Sequence, residues 1–227
     1  MVSAALWLGA CSAPGLSIAE GPFRSEFVPP SGFAKGWGRL TPLGPEHAAA
    51  DLATILANRD HLLETLRWGD WPPQGLTLEE NRAALVRHQQ EFERREAFAY
   101  TLLAPAERAG ASGDRIDAEP SPDDLSPKRV LGCVYLESPF PLEAEAPASM
   151  LAFLWVTEAG LKQELDRQLL EGLEAWFESE WPVEEVFWPI RIENLRGSHL
   201  VQRAGYTELP SSDLAYRVFR WRRGGGR

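Results

Sequence analysis

The chain has 227 residues, of which 44% are hydrophobic and 25% charged; these are the proportions of a soluble globular protein with an ordinary core, and they exclude disorder throughout. A length somewhat above the commonest domain size points to one domain with loops and a tail. The formal net charge of -10 offers no general attraction to phosphate backbones or anionic lipid, which argues against nucleic acid as a partner, and no stretch approaches the ~20 apolar residues that cross a bilayer.

Near the N-terminus, Leu8-Gly9-Ala10-Cys11 faintly resembles a lipoprotein cleavage box, but a positively charged leader is lacking and the apolar run is short. The expectation is therefore a cytoplasmic protein with no membrane association. The cysteines, Cys11 and Cys133, fit the same reducing compartment. From Ser12 to Gly38 the sequence is rich in Gly, Pro and Ser without a period, so residues 1–38 read as an irregular arm. The domain is expected to run from Arg39 to Trp221. Arg39 to Leu43 reads as a short first strand. Gly44-Pro45 then introduces a helix with Ala48, Leu52, Ile55 and Leu56 on one face, and Asp60 caps a short continuation carrying Leu62, Leu63 and Leu66. The loop Arg67 to Gly75 breaks the pattern with two prolines. Thr77 and Glu80 have the spacing of a capping box, opening a second long helix in which Leu78, Leu85 and Phe92 recur every two turns.

Phe98–Leu103 and Val130–Leu136 read as neighbouring strands joined by a polar insertion over 104–128. Met150–Val156 is apolar on both faces and is expected at the centre of the sheet. A helix follows with Leu161, Leu165, Leu169, Leu173, Trp176 and Phe177 in one stripe, ending before Trp181-Pro182. Val183–Ile192 is another strand. Asn194 can cap the next helix, whose apolar face is Gly197, Leu200, Val201 and Ala204, and Gly205 supplies a left-handed stop. Ala215–Trp221 is the last strand, and residues 222–227 read as a basic tail. The four histidines make no HxxxH pair and have no cysteine neighbours at ligand spacing, so no metal site is indicated. Walker loop, dinucleotide fingerprint and nucleophile elbow are all lacking.

This element order, with VLGCVYLESP, LAFLWV and VFWPIRIENLRGSHLVQRAGYTEL, resembles the GNAT-family N-acetyltransferases. The motif-like positions are Asn194, Gly197 and the pair Gly205-Tyr206. The resemblance implies an α/β (α+β) fold with a mixed, mostly antiparallel central sheet flanked by helices. It implies an acyl-CoA-dependent N-acyltransferase that passes an acetyl group from acetyl-CoA, its co-substrate, directly to a small-molecule or peptide amine; a homodimer is left open. The pantetheine arm would pair with the backbone of the central strand at Leu154, Trp155 and Val156. The pyrophosphate would meet the start of the next helix, with Leu161, Lys162, Gln163 and Arg167 around it and Asn194 across the cleft.

The family's pyrophosphate signature, Gln or Arg followed by two small residues, falls on Leu161, Glu164 and Asp166. Side chains there obstruct backbone approach to phosphate, and carboxylates add repulsion, so weak acetyl-CoA binding is expected. Glu164→Gly with Asp166→Ala should then tighten CoA at a small cost in helix stability. The family's acid, a tyrosine, falls on Val201; His199 or Ser198 lies a turn away. For the base, Glu137 and Glu158 are the carboxylates at strand ends near the expected cleft. Trp68, Asp70 and Trp71 either hold a cationic amine by stacking and charge or pack their loop. The alternative function is a non-catalytic GNAT-fold ligand-binding or interaction protein that has lost acetyl-CoA phosphate recognition.

Overall fold

The structure is a computed structural model that describes residues 27–105, 129–137 and 148–225. The box at Cys11, the arm before residue 27 and nearly all of the 104–128 insertion lie outside the described residues. Strands β1 (Phe33–Lys35), β2 (Gly38–Pro42), β3 (Ala97–Leu103), β4 (Val130–Glu137), β5 (Ser149–Val156), β6 (Glu185–Arg191), β7 (Thr207–Leu209) and β8 (Tyr216–Arg222) form one sheet. Their spatial order is β1-β2-β3-β4-β5-β6-β8-β7. Every neighbouring pair is antiparallel except β5 with β6. The helices are α1 (Ala48–Ala57), α2 (Arg59–Thr65), α3 (Leu78–Glu93), α4 (Glu158–Lys162), α5 (Leu165–Glu180) and α6 (Leu195–Arg203).

Because side chains alternate across a strand, the sheet divides the apolar residues into two cores. Phe98, Tyr100, Leu102, Val134, Leu136 and Ala152 pack against α5 with Leu169, Leu173, Trp176 and Phe177. Ala99, Leu103, Cys133, Tyr135 and Trp155 pack on the opposite face against Ile55, Leu62 and Leu85 of α1, α2 and α3. The two-sided apolarity of Met150–Val156 is explained by this arrangement, since β5 lies in the interior of the sheet. Gly132 is required where β4 meets β5, because a Cβ there would lie 2.2 Å from the carbonyl oxygen of Trp155.

Several local signals act as read. Thr77 accepts from the Glu80 N–H at 3.2 Å while Glu80 accepts from the Thr77 N–H at 2.9 Å. Asn194 accepts from the Gly197 N–H at 2.8 Å, and Gly205 ends α6 at φ 84°.

Other expectations need correction. The stretch before Arg39 is not wholly irregular: β1 begins at Phe33, and Phe27, Phe33 and Trp37 pack onto the α5-side core. Aromatic area supplies that binding without any period. Asn58, not Asp60, stands before α2, and it makes no side-chain cap. The buried stripe of α1 holds Asp51 with Ala48 and Ile55, and Leu56 is exposed. Asp51 tolerates burial because the Asn81 amide donates to it at 3.0 Å; burial still pushes its carboxyl up from the ordinary range, against that hydrogen bond. The helix expected from Leu161 onward is two helices, broken at Gln163-Glu164. The basic C-terminal residues are not a free tail as far as Gly225. Arg222 closes β8 and pairs with Glu185 at 2.7 Å, and Arg223 donates to the carbonyls of Val183 and Phe177 at 2.9 and 2.8 Å.

Candidate functional site: a cleft between two splayed strands

β5 and β6 pair only at Ser149–Glu185, Met150–Val186 and Leu151–Phe187. Beyond that point β5 continues to Val156 and β6 to Arg191 without a ladder between them, so the backbone edge of Ala152–Val156 faces an opening. A narrow throat of about 70 Å³ occupies this opening and crosses the sheet. Ala152, Leu154, Trp188 and Val201 line it from the α5 side; Leu66, Trp68 and Phe153 line it from the α2 side. Above it lies a groove of about 330 Å³ between α2, the end of β5 and the start of α6.

Five sequence-named cofactor residues, Leu154, Trp155, Val156, Leu161 and Asn194, line that groove together. Lys162, Gln163 and Arg167 do not line it. Arg167 instead borders a cavity of about 480 Å³ between α5 and α6, together with His199. At the groove mouth α5 begins, and its first N–H groups lack intrahelical acceptors, as in any α-helix. Glu164 precedes them in the left-handed conformation, φ 54° and ψ 31°, so the backbone keeps a geometry suited to glycine although the residue is not glycine.

The two carboxylates at this mouth are not free charges. Glu164 accepts from Arg167 at 3.1 Å, and Arg167 also donates to Glu171 at 2.8 Å. Asp166 is buried and takes two hydrogen bonds from Arg196, at 2.6 and 2.8 Å; the same guanidinium donates to the Leu161 carbonyl at 3.0 Å. The expected repulsion of phosphate is therefore largely cancelled, and what remains is side-chain bulk. Sequence reasoning missed Arg196. A signal existed: a cation in the first turn of a helix opposes the helix dipole, so a tertiary anion was to be sought.

On the α2 side, Trp68 is packed by Trp71, Tyr135 and Phe153 with ring centroids 5.5, 5.5 and 5.9 Å away. Asp70 is exposed and lines none of the described cavities. Of the trio, Trp68 lines the throat and Trp71 packs against it. Glu137 pairs across strands with Leu151 at the apex of the opening and shares a sheet face with Tyr135. Burial, and then the charge of Glu91, raise its carboxyl from an ordinary 4.5 to about 7. Glu91 in turn lies 3.0 Å from Nδ1 of His88, whose ring packs on Tyr135 at 5.8 Å. Glu158 is exposed at the start of α4, where its N–H donates to Asn58 at 3.0 Å. None of Glu137, Glu158 and His199 lines the throat itself.

No protein-family model matches the sequence, and no curated protein matches it. Solved structures do match. The ribosomal L7/L12 α-N-protein acetyltransferase RimL, in complex with coenzyme A, superposes with a TM-score of 0.63 at 14% identity, covering 85% of this chain and 97% of its own. The microcin C7 self-immunity acetyltransferase MccE, in complex with acetyl-CoA and AMP, gives 0.62 at 10% over 86% and 97%. The ribosomal-protein-S5-alanine acetyltransferase from Vibrio fischeri gives 0.61 at 10% over the same shares. The chain has the GNAT fold. Among the described residues no helix is long and apolar enough to cross a membrane, and no group of three or more His, Cys, Asp or Glu side chains is placed to hold a metal ion.

Proposed function

We propose that the chain is an acyl-CoA-dependent N-acyltransferase of the cytoplasm, transferring an acetyl group from acetyl-CoA directly to an amine of a small molecule or peptide. The throat carries this reading. It shares Thr65, Leu66, Leu154, Asn194, Gly197 and Leu200 with the groove between α2, the end of β5 and the start of α6 and continues it to Trp68 and Phe153, so a thioester lying in the groove can meet an amine held in the throat. Acetyltransferase neighbours crystallised with coenzyme A or acetyl-CoA support it.

The residues fit the co-substrate unevenly. The open edge of Leu154–Val156 offers backbone donors and acceptors to a pantetheine arm, and Gly197 keeps the start of α6 clear of side-chain bulk. At the start of α5 the N–H groups and Arg196 favour phosphate, while Glu164 and Asp166 crowd its approach, so affinity is modest. In the reaction the amine nitrogen attacks the thioester carbonyl, a C–N bond forms and the C–S bond breaks. One proton leaves the amine and one is taken up by the thiolate. Glu137 is the base in this reading, since a carboxyl titrating near 7 is matched to a neutral working pH; it stands at the apex of the opening rather than in the throat lining, so the amine proton reaches it through water. The thiolate takes its proton from water in the groove.

Titration with acetyl-CoA under thermal melting tests the first step, because a ligand that binds only the native state raises stability by mass action. Release of CoA thiol in the presence of amines tests the second. A melting temperature that stays unmoved at millimolar acetyl-CoA would overturn the proposal. It would favour a non-catalytic ligand-binding role instead, a reading supported by the fact that Glu137, Glu158 and His199 are all outside the throat lining.

A further inference from the structure

Among the described residues that line the throat, Arg191 is the one with a charged side chain. Alternation along β6 sends Ile190 and Trp188 into the α5-side core and Arg191 to the opposite face, the side of Trp68 and Phe153. Its guanidinium lies over the ring of Tyr216, 5.1 Å from the centroid, on the neighbouring strand. Glu193 approaches it with both oxygens at 3.3 Å, from Nη2 and from Nε. The Nε–H is shielded from solvent and is not aligned to donate to that carboxylate. Glu193 also serves Arg67, 3.7 Å away. Two guanidiniums therefore share one carboxylate at the rim, and positive charge is left over.

An amine arriving as an ammonium ion meets this excess at short range, where partial burial strengthens the repulsion. Asp70, the carboxylate of the Trp68–Trp71 loop, is exposed and does not line the throat, so it offers no carboxylate inside it. The acceptor must bring the compensating charge. We infer that it is a small amino-carboxylate, a molecule with a carboxylate adjacent to its reactive amine, and that Arg191 takes the carboxylate while the amine turns into the throat. Guanidinium suits this role because its planar fork matches a carboxylate in two parallel hydrogen bonds. The narrowness of the throat, about 70 Å³ with Trp68 sealing one wall, favours a compact acceptor over a peptide N-terminus, whose α-carboxyl is tied up in an amide. The inference rests on the acyl-transfer reading above and adds the acceptor class to it.

Matched pairs of amino acids and their carboxamides, aliphatic and aromatic, serve as acceptors with the full chain and acetyl-CoA, following CoA thiol release. In parallel, N-acetyl amino acids and N-acetyl amino amides are titrated calorimetrically into the protein with CoA. The expected result is at least a tenfold preference for the acid in kcat/KM and in Kd. Arg191→Gln should bring that preference close to one and leave the KM for acetyl-CoA within twofold, and Arg191→Lys should retain part of it. If Arg191→Gln does not fold, the acid–amide comparison on the unaltered protein still decides.

Equal or better use of the amides overturns the inference. So does preferential use of peptides with a free α-amine, failure of every acid to react or bind while acetyl-CoA binds, or a rise in the KM for acetyl-CoA in Arg191→Gln, which would assign the guanidinium to a CoA phosphate. Failure of acetyl-CoA itself to bind would bring down the proposed function and the inference with it.

Discussion

Glu164→Gly should stabilise this protein relative to Glu164→Ala, although glycine is the poorer helix former. Glu164 stands before α5 with φ 54° and ψ 31°, a conformation that costs a residue with a Cβ ~1–2 kcal/mol. Glycine removes that strain and enlarges the unfolded ensemble by ~0.4–1 kcal/mol. Both replacements lose the Arg167 contact, an exposed pair that contributes little, so it cancels in the comparison. The difference favours glycine by about 0.5–1 kcal/mol, or about 1–4 °C in melting temperature for a domain of this size. Chemical denaturation and calorimetry of both variants provide the measurement. An alanine variant as stable as the glycine variant would refute the reasoning, because it would mean that the left-handed geometry is not held in solution. Measured against the unaltered protein, the same relief of strain offsets the small loss of stability that helix propensity alone suggests, since Glu164 lies outside the helix interior to which propensity applies. The glycine should also tighten CoA, by letting phosphate approach the start of α5.

Asp166→Asn should lower stability by ~1–2 kcal/mol in denaturant titration, since Asp166 is buried and its two charge-assisted bonds from Arg196 are weakened. Asp166→Ala should accordingly fail to tighten CoA in calorimetric titration, contrary to the expectation from sequence. For Glu137 the folded-state carboxyl lies above its unfolded value. The folded chain therefore holds more protons between about 4.5 and 7, and stability falls as pH rises through that window, by on the order of 3 kcal/mol. Glu137→Gln should flatten that slope in melting curves taken from pH 4 to 8, and should remove the rise of kcat/KM through pH 7. Gly132→Ala would set a Cβ against the Trp155 carbonyl oxygen at 2.2 Å; we expect a loss of at least ~2 kcal/mol in denaturation, from forced separation of β4 and β5.

Elements whose signals are local were legible. The Thr77–Glu80 box, the Asn194 cap, the Gly205 stop and the doubly apolar β5 each depend on residues within a turn or a strand, and each stands where it was read. Phe27, Phe33 and Trp37 were not legible, because isolated aromatics in a Gly- and Pro-rich stretch have no period and are held by α5-side residues far along the chain. The break at Gln163-Glu164 was also hidden, since the leucine stripe continues across it and a left-handed glutamate leaves no mark in composition. Within the site, the groove-lining backbone of Leu154–Val156 followed from the central position of the strand together with the family resemblance. The role of Trp68 as wall did not, because it depends on rings contributed by β4 and β5.

By itself, then, the amino-acid order determined the types and succession of the elements other than β1, β7 and the α4–α5 break, and the position of β5, because periodicity and capping operate over a few residues. Only the tertiary structure decided which charges neutralise each other. Asp166 and Arg196 are 30 positions apart, as are Asp51 and Asn81, and Arg191 is left as the charged lining of the throat only because β6 parts from β5 after Phe187. Coulomb and packing energies depend on distance in space, and those distances exist only once the chain has turned back on itself.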